Sequence, residues 1–286
     1  MIAHVAEAGE GSGRVVLQLG PQLSGIALDA ALQLARSFRS EVEAVYTDDG
    51  MLIDLAAYPF AREISVAGAI KGPIDTVDLQ RRQHRTAAAT IRRVATAARE
   101  AGIRFTSSVH RLDATTALAS ACAERGPWNM VALGEPVASH DRVKLREMFS
   151  TVWGTTGFIL AGPKAKRTTG PVVAVVEDIE RFSPLLRTAE HLAAATASAT
   201  EVLLVGHDPH QVVEMELQAR LILNDEAHIN MPITTVSHGG AAAIGAALRS
   251  LGAGFVIAHY DGIAMPSEGE DTLLAENLEG PLLLVR

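Results

Sequence analysis

The chain has 286 residues, with 33 acidic against 25 basic side chains and a formal net charge of −8. A hydrophobic share of 48% with 20% charged residues excludes intrinsic disorder, and a single cysteine excludes a disulfide framework, a thiolate zinc site and an iron–sulfur cluster. The acidic balance argues against nucleic acid as a partner, and no apolar run approaches the roughly 18 residues of a membrane span. The first residues, MIAHVAEAGEGSG, lack a basic segment and carry two early glutamates, so they do not read as a signal peptide and the expected location is the cytoplasm.

The first element is RVVLQLG, Arg14–Gly20, a Val-rich run stopped by Gly20-Pro21, as a strand buried on both faces requires. Ser24 then stands as N-cap before apolar residues at Ile26, Leu28, Ala31, Leu32, Ala35 and Phe38, which follow the 3.6-residue period of a helix. EVEAVYTDD, Glu41–Asp49, is a second strand. Residues from about 50 to 78 carry Gly50, Pro59, Gly68, Gly72 and Pro73 and read as an irregular insertion, with a short helical piece over Leu52–Ala57. Leu79–Ala101 is a long helix ended by Gly102, IRFTSSVHR a strand, and Thr115–Arg125 a helix closed by Gly126-Pro127. WNMVALGEP is a buried strand, Arg142–Val152 a helix, and Gly157–Gly162 the last strand of this half.

KAKRTTG, Lys164–Gly170, is polar and aperiodic and reads as a linker and hinge. The pattern then restarts. Val172–Asp178 is a strand, Ser183–Ala197 a helix, EVLLVGHDP a strand and Val212–Ala227 a helix. INMPITTVSH follows, a strand whose Pro232 assigns it to a sheet edge because proline cannot donate to the ladder. Ala241–Leu251 is a helix, GFVIAHYDG a strand and PLLLVR the final strand. Alternating strands and helices impose parallel pairing with right-handed crossovers, so the chain reads as two tandem doubly wound α/β domains, 1–168 and 169–286, each with a mainly parallel five-stranded sheet.

VVAVVEDIERFSPLLRTAEHLA, the EVLLVGHD strand after it and GPLLLVR at the close, matched by VVLQLGPQLSGIALDAALQLARSF, EVEAVYTDD and WNMVALG in the first half, resemble a universal stress protein of the tandem two-domain type. The resemblance covers nearly all of Arg14–Arg286 apart from the insertion. It implies the adenine-nucleotide alpha-hydrolase-like fold and a role in stress response. It also implies, in nucleotide-binding members, an acid closing the first strand and a G-x2-G-x9-G-[ST] stretch after the fourth, whose N–H groups cradle phosphates. Here the first half closes its strand with Leu19-Gly20-Pro21, and Gly134 is followed by Glu135, a glutamate where phosphate would come. In the second half Glu177 or Asp178 keeps the acid, but Gly262 is followed by Ile-Ala-Met-Pro, and Gly269 by Glu270 and Asp271.

Ligands of open parallel sheets bind beyond the carboxyl ends of the strands, where the strand order reverses. In the second half those ends carry Glu177, Asp178, His207, Asp208, His238, His259 and Asp261. With the family's 3-2-1-4-5 order, Glu177 or Asp178 faces His259 and Asp261 across one crevice, which is chemistry for a cationic ligand or a metal, though no metal-ligand spacing singles one out. His207-Asp208-Pro209-His210 is first a turn, and no G-x-S-x-G elbow or Ser/His/Asp set supplies a catalytic residue. Cys122 falls among small apolar residues and reads as a buried structural thiol. Arg81, Arg82, Arg85, Arg92, Arg93 and Arg99 read as a solvated basic face, one able to dock the acidic surface of another subunit. The expected function is a non-catalytic stress-response or regulatory protein with degenerate nucleotide sites and no cofactor, acting on a regulatory protein or small ligand. The alternatives are an ATP- or AMP-binding protein with a divergent phosphate loop and slow hydrolysis, and a small-ligand or metal binder using the second crevice. Gly157–Gly162 and Pro281–Arg286 are short, apolar and edge-forming, so they are expected to pair antiparallel as an internal pseudo-dimer, with homodimerisation of the whole chain a further step.

Overall fold

A computed structural model describes residues 13–47, 50–124, 129–225, 230–237, 240–265 and 272–286. The first half runs β1 (Arg14–Leu19), α1 (Gly25–Ser37), β2 (Glu41–Thr47), α2 (Gly50–Ala56), β3 (Arg62–Ile64), β4 (Ile70–Pro73), α3 (Thr76–Glu100), β5 (Phe105–His110), α4 (Ala114–Ala123), β6 (Asn129–Leu133), α5 (Arg142–Thr151) and β7 (Thr155–Leu160). The second runs β8 (Val172–Val176), α6 (Phe182–Thr196), β9 (Thr200–Gly206), α7 (Pro209–Asp225), β10 (Ile233–Ser237), α8 (Ala241–Ser250), β11 (Phe255–His259) and β12 (Leu282–Val285). Among the described residues no helix is long and apolar enough to cross a membrane.

Each half contributes five parallel strands in the same order, β5-β2-β1-β6-β7 and β10-β9-β8-β11-β12. The two five-stranded sheets are not separate. β12 pairs antiparallel with β7, Leu282 opposite Leu160 and Val285 opposite Gly157, so one ten-stranded sheet crosses the molecule. Gly157 is required in this seam, because a side chain there would press on the carbonyl of Leu284. Helices α1, α3, α6 and α7 cover one face and α4, α5 and α8 the other, and each apolar layer draws on residues of both halves. Because both faces are covered, the central strands β1, β6, β8 and β11 are almost wholly apolar rather than alternating.

Ser24 caps α1, its Oγ accepting from Ala27 N–H at 3.3 Å, and Gly102, with φ +70°, follows the C-cap of α3 and ends that helix. The strand after Pro232 lies at a sheet edge, as its proline required. The insertion is more regular than its glycines and prolines suggest. It holds α2 and a β3–β4 hairpin that stands apart from the main sheet.

Two features cross between elements far apart in sequence. Arg14, 2% exposed at the start of β1, donates from Nε to Asn129 Oδ1 at 3.1 Å, pairs with Glu43 on β2, and donates to the Ala121 carbonyl at the end of α4. Between the halves, α1 packs on α6, where His191 Nε2 donates to the Ser37 carbonyl at 2.8 Å and the ring stacks on Phe38. The expected hinge at Lys164–Gly170 is corrected: Lys166 and Arg167 donate through their backbone N–H groups to the Glu279 carbonyl and through their side chains to its carboxylate, which straps the segment to the second half.

Candidate functional site

Strand order reverses between β1 and β6 in the first half and between β8 and β11 in the second, so each half has one crevice beyond those strand ends. The antiparallel seam puts the carboxyl ends of the two sets of strands at opposite margins of the sheet, and the crevices with them.

In the first half, backbone bonds tie the loop after β6 to β1 and to the start of α1. Gly134 N–H donates to the Gln18 carbonyl at 2.9 Å and Ser24 N–H to the Gly134 carbonyl at 2.8 Å. Gly134 has to be glycine, since a Cβ there would collide with the Gln18 carbonyl. The side chain of Glu135 then turns onto the loop after β1. Its Oε1 accepts from Gln22 N–H at 3.1 Å, in the space that a side chain at Gly20 would fill.

The second half reaches a similar result from the other wall. Glu177, just beyond β8, sends its carboxylate to the loop after β11, where both oxygens lie 2.9 Å from Ile263 N. That carboxylate fills the space a side chain at Gly262 would take. Burial pushes the Glu177 carboxyl above its ordinary value, opposed by the Ile263 N–H and by the nearby His207 and Arg181.

The residues singled out at the strand ends divide into two groups. Glu177, Asp178, His259 and Asp261 do meet at the β8–β11 switch. Asp178 caps the turn into α6, its Oδ1 accepting from Glu180 N–H at 3.0 Å, and its carboxylate lies 3.6 Å from Arg181 Nε. Arg181 also donates to His259 Nδ1, which accepts as well from Asp261 N–H at 3.2 Å. With Nδ1 accepting from both sides, the ring proton sits on Nε2 and the imidazole is neutral. Burial and then the Arg181 charge hold the His259 pKa below its ordinary value, against the pull of Asp261 and Asp178.

His207 and Asp208 lie one strand over. Asp208 Oδ1 accepts from His210 and Gln211 N–H at 2.8 and 2.9 Å and caps α7, while His207 is exposed and its backbone N–H donates to Gln211 Oε1. His238 lies outside the described residues, and among those described no group of three or more His, Cys, Asp or Glu could hold a metal ion. Sequence reasoning missed Arg181, which links Asp178 to His259. Its signal was its position three residues after an acid at a strand end.

No protein-family model matches the sequence, and no curated protein does either. Solved structures do match the fold. A universal stress protein from Archaeoglobus fulgidus superposes with a TM-score of 0.61 at 13% identity, over 96% of this chain and 97% of its own. A functionally unknown protein from Pseudomonas aeruginosa PAO1 gives 0.59 at 14% identity, over 96% and 92%. The cytoplasmic domain of a prokaryotic cation chloride cotransporter gives 0.57 at 10% identity, over 96% and 95%. This chain has the universal stress protein fold, its five-strand topology present twice.

Proposed function

We propose that this fold, here a tandem pair of universal-stress-protein-like domains divided near residue 168, serves a non-catalytic regulatory role in stress response, with both nucleotide crevices filled by carboxylates of the chain itself. The observation that carries this reading is the pair Glu135 on Gln22 N–H and Glu177 on Ile263 N–H. In the first half a phosphate would compete for the Gln22 N–H and meet the charge of Glu135. In the second, Glu177 stands at the strand-end position that is acidic in the family's binders, but the loop after β11 lacks their glycine spacing and its Ile263 N–H is already engaged. In the first half the backbone bonds through Gly134 also hold the loop after β6 against Gln18 and Ser24. With the phosphate positions taken, transmission to a partner remains as the output, and the fold's presence in the cytoplasmic domain of a cotransporter fits a role as a regulatory appendage rather than an enzyme.

The test is thermal unfolding with and without ATP and Mg²⁺. A ligand at 100 times its Kd adds about 2.7 kcal/mol, a shift that is readily seen in Tm. No saturable shift is expected, and a saturable rise in Tm would overturn the reading.

A second reading has its own support. Glu177, Asp178, Arg181 and His259 leave both signs of charge at the second crevice, which suits a small zwitterionic ligand. An Asp178→Ala, His259→Ala double variant should lose such a ligand, and binding that persists would place it elsewhere.

A further inference from the structure

Two apolar surfaces at opposite ends of the molecule lack any role in the fold. The insertion exposes Tyr58, Phe60, Ile64, Val66 and Ile70, with Phe60 76% exposed and its ring stacked on Tyr58. A lone two-stranded hairpin is marginal in water, and a cluster of large exposed apolar side chains marks an interaction site. At the far end, α7 exposes Val213, Leu217 and Leu221, with Leu221 68% exposed. Spaced four apart, these form one stripe along the helix, opposite the buried Val212, Met215, Ala219 and Leu223.

The charges beside the two surfaces are opposite. Helix α3, which follows the insertion, exposes Arg81, Arg85, Arg92 and Arg99 along its length, and their spacings of four, seven and seven align them on a single helix face. Beside the α7 stripe stand the exposed acids Glu214 and Asp225, while the one base at its edge, Arg220, is paired with Glu216. Helix α3 packs on β2 and β5 and α7 on β9 and β10, so the two surfaces sit at the two ends of the ten-stranded sheet and cannot meet within one chain.

We infer that copies of this chain associate end to end, the hairpin and arginine face of α3 in one copy receiving the apolar, acid-edged stripe of α7 in the next. Apolar surface meets apolar surface and base meets acid in a single contact, so a second copy of this chain covers both patches with one interface. The contact is heterologous, joining unlike surfaces, so it leaves a free hairpin at one end and a free α7 at the other and can add further copies. None of Glu135, Glu177, Asp178, Arg181 or His259 is among the residues that make the contact.

Sedimentation of three proteins tests this. The full-length chain should gain mass with concentration from micromolar to millimolar, and added salt should lower that mass by screening the arginines. A Leu217→Asp, Leu221→Asp variant and a Phe60→Asp, Ile64→Asp variant alter only exposed side chains, so each should keep the parent's Tm and run as a single chain. Mixed in equal amounts, they retain one intact surface each and should form a two-chain species and nothing heavier. A parent that stays a single chain throughout, a variant that still self-associates, or a mixture that stays single would overturn the proposal.

Discussion

Leu283 and Ile159 stand opposite each other where β12 meets β7, both fully buried, and through them the two halves share one sheet. Unfolding should therefore be a single transition, because the apolar layers on both faces run across this seam. Leu283→Ala is expected to cost about 2–5 kcal/mol, and Leu283→Pro more, since it also removes a ladder donor. Denaturant unfolding followed by fluorescence and by circular dichroism checks this. Two separated transitions in the parent chain would show that the halves are independent.

The Arg14–Glu43 pair lies at the opposite end of the first-half strands from the crevice, its side chains only 3% and 13% exposed. Removing one partner from a buried pair leaves an uncompensated charge, so Glu43→Ala should destabilise by about 3–5 kcal/mol. An Arg14→Met, Glu43→Leu double variant removes both charges, though also the Arg14 bonds to Asn129 and Ala121, and should lose less than Glu43→Ala. Comparing denaturation midpoints of the two proteins decides it.

Glu177 gives a pH signature. Its carboxyl is raised above 4.5 in the folded chain, so the folded state favours the protonated form. That contribution to stability is complete below the unfolded pKa and is lost as pH rises through the higher folded value. A Glu177→Gln variant keeps an acceptor for Ile263 N–H without the charge. Its Tm should match or exceed the parent's at neutral pH, and the gap should close on acidification. A Tm difference that is constant with pH would contradict this assignment.

Cys122 is buried on α4, and burial pushes its thiol up to about 12. The native chain should resist a thiol-specific disulfide reagent at neutral pH and react completely in denaturant. Fast stoichiometric labelling of the native protein would show the thiol to be accessible.

Elements whose information is local were readable from the residues. The Val- and Leu-rich runs of β1, β8 and β12, the Ser24 cap and Gly102 each state their conformation within a few residues. The β3–β4 hairpin was not, because β3 is exposed on both faces and so lacks the period-two alternation that marks a half-buried strand. Glu135 was visible as an acid where phosphate would come. Its partner, Gln22, is 113 residues away, and only the folded sheet brings them together. Arg14 carries no local signal of its partners and is an internal ion-pair residue only because β1 lies between β2 and β6.

Since β12 fills the middle of the sheet yet lies about 120 residues after β7 in the chain, it governs the order of events during synthesis. At translation rates of roughly 5–20 residues per second, the first half emerges with the β7 edge bare and waits on the order of ten seconds for its partner strand. Through that interval the apolar ladder Gly157–Leu160 is open to other nascent chains. The protein's most exposed moment comes before it is finished, and shortening that wait, by making or supplying the second half sooner, is the direct route to a higher yield of folded chain.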